Sequence, residues 1–327
     1  MWTQPGLYPA VAPALGWRRG GWVADLLVPP TPPRLSVVII TKDRKEELLR
    51  TLDQLASLPE RPPVVVVANG CTDGTEAAVA RRHPAFRLLA LPANLGAAGR
   101  NLGTRAAGTE YVAYCDDDTW WEPGSLRLAG DVLDAHPQVA VVTGHIVVEP
   151  GGGDDPVCAE LRGAPLPRPA GVPGYPLVSF LAGASVVRAR AVLGAGGFDP
   201  VLHLGGEEEL LAVDLLRQGW LLTHLPGVVV HHQASTLRDP HHRRRKGIRN
   251  TLWFAWLRRP VPAAARRTVA LLRRLPRDAV SAAGVADALR GATWVAACRR
   301  RLPAGVAAMI DAVEDSQLDS PARRYVS

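Results

Sequence analysis

The sequence predicts an α/β protein with a mostly parallel central sheet flanked by helices and a helical C-terminal extension. Three observations carry this. Short β-branched runs such as Leu35–Ile40 and Val64–Ala68 lack polar alternation, so they read as strands buried on both faces. Segments with helical spacing separate them. From Ile248 onward the pattern is helical, broken at Pro260, Pro262, Pro276 and Pro303.

Residues 1–33 are rich in Pro, Gly and Trp and read as an extended arm. A domain is expected over 34–242. Its first strand, Leu35–Ile40, leads to Asp43, with Glu46 three residues on, the pattern of an N-cap with a capping-box partner. Leu48, Leu49, Leu52, Leu55 and Ala56 then repeat at helical spacing. Strand Val64–Ala68 ends at Asn69-Gly70. Helix Thr75–Arg82, strand Arg87–Leu91 and a Gly-rich turn into helix Ala97–Ala107 follow. Strand Tyr111–Cys115 ends at Asp116-Asp117-Asp118. Val139–Val148, Gly183–Val187 and Val228–His232 read as further strands, and Glu207–Arg217 as a helix. The Gly/Pro-rich stretch Pro150–Pro176 has the length of a mobile gating loop. A basic helical segment, 243–313, and a polar tail, 314–327, complete the chain.

Charge is placed unevenly. The net charge is +7, yet Arg243–Arg301 alone holds 16 Lys+Arg against Asp278 and Asp287, so the remainder is acidic. A nucleic-acid partner would more often ask for basic surface across the fold, so none is expected. The basic segment suits contact with an anionic membrane surface or acceptor, with Leu252, Trp253, Trp256 and Leu257 interleaved among arginines. The alternative is a helical cap with solvated arginines. The four cysteines form no C-x-x-C pair, which favours reduced thiols and a cytoplasmic setting. The N-terminus lacks a signal-peptide layout, and no charge-free apolar stretch is long enough to span a bilayer. The expected place is the cytoplasm, with peripheral contact at the inner face of the cell membrane.

In parallel sheets ligands bind beyond the carboxyl ends of the strands. Thr41–Asp43, Asn69 and Asp116–Asp118 all fall there, so three sites distant in sequence converge on one edge. In an extended backbone Asp116 and Asp118 point to the same side. Two carboxylates ~4 Å apart repel by about 4 kcal/mol at an effective dielectric of ~20, and a divalent cation reverses that cost. Oxygen ligands suit Mg2+ or Mn2+. The competing reading is a solvated acidic turn. Within Asn94–Gly103, Gly99 lets backbone N–H groups approach a phosphate and Arg100 adds charge; the competing reading is a tight loop packed on the sheet. Gly205–Glu209 is either a helix start or the source of a general base. His231 and His232 either complete a metal shell or contact phosphate, or simply end a strand.

Taken in order, these landmarks resemble glycosyltransferase family 2, of the GT-A fold, over residues 35–235. They are Ser36–Arg44, Val66–Thr75, Asn94–Gly103, Tyr114–Thr119, Gly196–Asp199, Gly206–Glu208 and Val230–His232. The resemblance implies a nucleotide-diphosphate sugar donor of UDP or dTDP type, a metal at the aspartate run, and inversion at the anomeric carbon. Thr41 and Asp43 match the family's base-binding loop. Asn69 stands where the family often has an Asp facing the nucleobase, and its amide oxygen still accepts an N–H from uracil or thymine. Asp116 and Asp117 are expected at the nucleotide, and Asp116 and Asp118 at the metal together with His231 or His232. Glu208 matches the usual Asp of the Glu-Asp pair and is the expected base, with Glu207 the competing candidate. The acceptor would be a glycan, a lipid-linked sugar or a small molecule. Two other readings remain: a nucleotidyltransferase on sugar phosphates, for which Thr41–Arg44 lacks the glycines, and a non-catalytic nucleotide-sugar-binding protein of the same fold.

Overall fold

Burial of the apolar runs sets the layout. The computed structural model describes residues 33–234 and 240–317; the expected arm lies outside the described residues, as does the end of the expected tail. The strands are β1 (Leu35–Thr41), β2 (Val64–Asn69), β3 (Arg87–Leu91), β4 (Tyr111–Asp116), β5 (Thr119–Trp121), β6 (Val139–Val148), β7 (Gly153–Asp154), β8 (Tyr175–Pro176), β9 (Ser185–Arg188) and β10 (Leu221–His232). They form a single sheet in the order β3-β2-β1-β4-β9-β6-β10-β5, with β7 on β6 and β8 on β10. Strands β1 to β4 are mutually parallel. Strand β9 then runs antiparallel to both β4 and β6, and β5 antiparallel to β10. The sheet is therefore mixed, with its parallel half built by the first third of the chain.

Helices α1 (Lys45–Ser57), α2 (Thr75–Arg82) and α3 (Gly99–Ala107) make the crossovers of the parallel half. Leu48, Leu52 and Leu55 of α1 pack on one face with Val37 and Ile39. Val38, Val67, Tyr114, Phe180 and Phe198 fill the other. Helix α3 lies so close to β1 that a Cβ at Gly103 would fall 2.4 Å from Val38 Cγ1. The remaining helices are α4 (Ser125–Ala135), α5 (Pro156–Gly163), α6 (Ala189–Gly194), α7 (Glu207–Arg217), α8 (Pro240–Arg258), α9 (Val261–Arg274), α10 (Ala279–Arg290), α11 (Ala292–Cys298) and α12 (Ala304–Ser316).

Several elements differ from the sequence expectation. Asp43 does not cap α1: it adopts a left-handed φ of 51° and accepts from the Thr72 N–H. The Lys45 N–H is instead taken by Asp73, from the loop after β2, at 3.0 Å. The expected loop 150–176 contains α5, which Asp155 caps by accepting from the Val157 N–H, and which buries Cys158. An Asp-Pro pair is itself a helix-start signal. Ala182–Ala184 is a short 3₁₀ turn ahead of β9. Pro226 and Gly227 do not end β10; a shift of register carries the strand past them. Pro262 lies in the first turn of α9, where its missing N–H has no cost.

The basic segment is also not an appendage. Leu252, Trp253 and Leu257 of α8 share a buried core with Leu210 and Val213 of α7. Arg258 grips Asp214 of α7 through two bonds, at 3.0 and 2.6 Å. Arg245 pairs with Asp287, and Arg259 with Glu314. Glu314, expected in a tail, sits in the last turn of α12. No described helix is long and apolar enough to cross a membrane.

Candidate active site

The aspartate run is not extended. Strand β4 ends at Asp116, residues 117 and 118 turn, and β5 starts at Thr119 to pair with His232 of β10. The turn sends the three carboxylates to different partners. Asp116 pairs with Arg100 and keeps a side chain 43 % exposed. Asp117 is buried, accepting from the Thr41 hydroxyl and the Arg44 guanidinium at 2.9 Å each. Burial pushes its pKa up to about 6 against the pull of Arg44. Its oxygens are engaged inside the protein, so it does not point to a nucleotide as expected; it fixes the turn. Asp118 is 2 % exposed, with Arg44 and His232 Nε2 each 3.7 Å away. The Thr119 hydroxyl accepts from the Asp116 N–H at 2.9 Å and donates to the Gly183 carbonyl at 3.1 Å. A Cβ at Gly183 would lie 2.7 Å from Asp116 Oδ2, so glycine alone allows this approach.

Strand alternation separates the two histidines. His232 goes to Asp118. His231 stacks on Trp120 and lies between Glu122 at 2.6 Å and Glu149 at 3.0 Å. His231 therefore leaves the expected metal set. Asp118, His232 and the partly open Asp116 are oxygen and imidazole donors of the kind Mn2+ or Mg2+ takes, but among the described residues their ligand atoms are not gathered within 4.8 Å of one another. Another acidic group, Asp43 with Cys71 and Asp73, gathers its ligand atoms within 4.8 Å. Its carboxylates are spent on the Thr72, Lys45 and Thr75 N–H groups, so it braces loops.

Around the Gly-rich loop, both ends of the Asn69 amide are used. Nδ2 donates to the Gly96 carbonyl at 2.9 Å and Oδ1 accepts from the Leu95 N–H at 2.8 Å. Asn69 is buried and orders this loop, in place of the base contact expected of it. Gly99 fits against that amide, since a Cβ there would lie 3.3 Å from Asn69 Nδ2. Asp43 stays exposed at the sheet edge. Arg100 is buried, with its guanidinium 5.5 Å over the Phe198 ring and paired to Asp116. Glu207, Glu208 and Tyr114 also bear on it electrostatically. It underlies the site and joins its two acidic corners; it does not face outward toward a phosphate.

The second corner is the start of α7, entered through Gly206 with φ 83°. Glu208 as a residue is partly buried, but its carboxyl is enclosed and accepts from the Ala182 N–H at 2.6 Å. Burial, and then the neighbouring Glu207, push its pKa up to about 8. Glu207 is buried and likewise shifted up by burial, and its Oε2 has no hydrogen-bond partner. The loops on this side are clamped to the Gly-rich segment. Asn101 exchanges two hydrogen bonds with the Phe198 backbone, at 2.8 and 2.9 Å. The Ala97 N–H donates to the His203 carbonyl at 2.7 Å, and His203 packs where any Cβ on Gly96 would stand. Sequence reasoning gave no role to Arg44, Asn101 or His203. Arg44 and Asn101 lay inside recognised landmarks; His203 carried no signal beyond its neighbourhood to Gly205-Gly206.

Comparison with known proteins fits this geometry. Residues 36–174 match the family described as Glycosyl transferase family 2. The chain is 30 % identical, over 283 residues, to the N-acetylglucosaminyl-diphospho-decaprenol L-rhamnosyltransferase of Mycobacterium tuberculosis (strain ATCC 25618 / H37Rv), covering 74 % of this chain and 92 % of that protein. It is 33 % identical over 225 residues to the pre-mycofactocin glycosyltransferase of the same strain, covering 64 % of this chain and 46 % of that protein. The fold matches the mannosyltransferase PcManGT from Pyrobaculum calidifontis, solved with GDP-Man and Mn2+, with a TM-score of 0.55 at 20 % identity over 91 % of this chain and 84 % of that one. It also matches GalNAc-T7, solved with UDP, GalNAc and Mn2+, with a TM-score of 0.59 at 15 % identity over 89 % of this chain and 58 % of that one. With its landmarks gathered on one edge of a GT-A sheet, the chain is a glycosyltransferase and belongs to glycosyltransferase family 2.

Proposed function

We propose that this enzyme moves a sugar from a nucleotide-diphosphate donor of UDP or dTDP type to an acceptor hydroxyl, with inversion. The observation that supports the reading most is the pairing of two unlike acidic corners through the buried Arg100: Asp116 on one side, Glu207 and Glu208 on the other. Asp118, His232 and Asp116 would hold a divalent ion. When bound, Mg2+ or Mn2+ offsets charge on the departing diphosphate. Asp43 stands at the edge where the base would lie. In its ionised form Glu208 takes the proton from the acceptor hydroxyl, and a carboxylate whose conjugate acid is pushed up to about 8 is a stronger base than a solvated one. Glu207 holds that hydroxyl through its unsatisfied oxygen. The rhamnosyltransferase relative, named for a diphospho-decaprenol sugar, supports a lipid-linked acceptor. The test is donor turnover with Mn2+, with Mg2+ and in excess EDTA, across a panel of nucleotide sugars. Turnover undiminished by EDTA overturns the metal assignment, and stabilisation by donor without any turnover favours a binding protein of this fold.

We also infer peripheral contact with an anionic membrane at the cytoplasmic face, through α9. The residues first expected there, Leu252, Trp253 and Leu257, are core. In α9 Ala264 is the buried residue, while Val261, Val269 and Leu272 are each 46 % exposed. With Ala265 they recur at helical spacing along one stripe. Arg266, Arg273, Arg274 and Arg277 make no ion pair among the described residues. An apolar stripe beside unpaired arginines suits a headgroup region, at ~1 kcal/mol per charge near an anionic leaflet. Flotation with anionic vesicles at low salt should carry the wild type and lose Leu272→Asp. A wild-type protein that stays at the bottom of the gradient removes the idea.

A further inference from the structure

Helix α7 begins at Gly206 without a side-chain cap. The segment ahead of it is hard for a backbone to hold: His203, Gly205 and Gly206 have left-handed φ angles of 64°, 87° and 83°. Paired glycines give such a turn its shape but no stiffness. A non-glycine residue in that region, such as His203, persists only where its surroundings fix it. The stiffness comes from α8. Asn250 is buried, and its Nδ2 donates to the Leu202 and Leu204 carbonyls at 3.1 Å each and to the Gly205 carbonyl. Its Oδ1 accepts from the Arg249 Nε–H at 2.8 Å. That bond leaves the amide one orientation, with Nδ2 toward the three carbonyls. Arg249 reinforces the grip by donating to the Leu202 carbonyl at 2.8 Å.

Carbonyls that converge on one buried side chain repel one another and need a donor there. The Asn250 NH2 group supplies it and draws the segment together. The effect reaches in two directions. Toward α7, the Gly206 carbonyl accepts from the Leu210 N–H at 3.0 Å, so the first turn, with Glu207 and Glu208, starts where Asn250 sets it. Glu208 then meets the Ala182 N–H at 2.6 Å. Toward the Gly-rich loop, the His203 carbonyl accepts from the Ala97 N–H at 2.7 Å. Helix α8 is itself a firm base, because Trp253 Nε1 donates to the Ala288 carbonyl of α10 at 2.9 Å. With Arg258 holding Asp214, α7 is pinned to α8 at its entry and again in its last turn.

We propose that Asn250 is a positioning residue for sugar transfer: its amide gathers the carbonyls ahead of α7 and so aims Glu208 at the acceptor hydroxyl. The proposal rests on the reading of Glu208 as the base. Amide hydrogen exchange is followed on the full-length protein, together with single-turnover hydrolysis of the nucleotide sugar that wild type turns over fastest. Affinity for UDP and dTDP is measured separately by calorimetry. In Asn250→Ala and Asn250→Asp the Ala97 and Leu210 amides should exchange roughly tenfold faster or more, while the Val37 amide, bonded to the Pro63 carbonyl, stays as slow as in wild type. The hydrolysis rate should fall about a hundredfold, as for a reacting group misplaced by about an ångström, with nucleotide affinity unchanged. Asn250→Ser keeps one donor and should lose less; it carries the test if Asn250→Ala does not fold. Arg245→Met cuts the tie of the same helix to Asp287 and should match wild type in both readouts. Asn250→Asp keeps the shape of the side chain and removes the donor, so a wild-type rate or wild-type exchange in it overturns the proposal. A rate loss matched by lost nucleotide affinity overturns it too, as do the same losses in Arg245→Met. A wild type that hydrolyses no donor, while both amides still respond to Asn250, strikes the sugar-transfer reading alone.

Discussion

The two acidic corners of the site are built in opposite ways. At the aspartate corner every carboxylate meets a cation or a hydroxyl: Arg100 for Asp116, Thr41 and Arg44 for Asp117, Arg44 and His232 for Asp118. At the glutamate corner two carboxyls are pressed together in a dry place, with one oxygen left unsatisfied. The first corner meets its carboxylates with cations and hydroxyls, even though burial pushes Asp117 up to about 6. The second is arranged to hold a proton. The same residue chemistry thus serves two ends because environment, not side-chain type, sets the charge.

The largest expected effect breaks the first corner. Asp118→Ala should reduce metal-dependent turnover to background while leaving the melting temperature close to wild type; substantial activity in the variant would move the metal elsewhere. Next comes the second corner. Glu208→Gln should lower the single-turnover rate by about 10²–10⁴, or roughly 3–5 kcal/mol, with donor affinity nearly unchanged. Glu207→Gln should instead raise the acceptor KM more than it lowers kcat, and the reverse pattern would exchange the two roles. A sharper comparison uses the histidines. His232→Ala should cost about 10–100-fold in metal affinity, by analogy with lost groups close to a metal, while His231→Ala leaves it unchanged.

The smallest effect is on stability against pH. The Glu208 carboxyl goes from an ordinary value of 4.5 to about 8 on folding. The unfolded chain therefore binds fewer protons than the folded one across that window, and stability falls as pH rises through it. His224, buried and neutral, is lowered from 6.5 to about 4, so its contribution is lost only as pH falls below 6.5. Between pH 6.5 and 8 the melting temperature of wild type should therefore decline more steeply than that of Glu208→Gln. Parallel curves would mean that the carboxyl is ionised in the folded state.

What was legible in the sequence follows from how local each signal is. Helix α2, strand β3 and helix α7 have the bounds their periodicity predicts, because burial on the sheet is written into each run. The gathering of Thr41, Asn69 and the aspartate run was legible for the same reason. The direction of each carboxylate was not. It depends on a turn that exists because β5 pairs back with β10, far along the chain. The choice between His231 and His232 hangs on that same register. Asn69 was read by its chemistry alone, yet the loop at Leu95–Gly96 uses both ends of its amide. The basic segment misled because charge counting does not see partners: Asp214, Asp287 and Glu314 absorb arginines that composition treats as free.

The Asp214–Arg258 pair has a consequence for inheritance. It joins a helix of the sugar-transfer half to one of the C-terminal helices, with side chains 12 % and 6 % exposed. A lineage that exchanged those helices by recombination after β10 would strand a buried carboxylate, at about 3–5 kcal/mol. That is a large share of the ~5–15 kcal/mol that holds an ordinary domain together. Tolerated crossovers are therefore expected ahead of Gly206, not after His232. Helices α7 and α8, joined by that pair, should therefore pass between genes as one block.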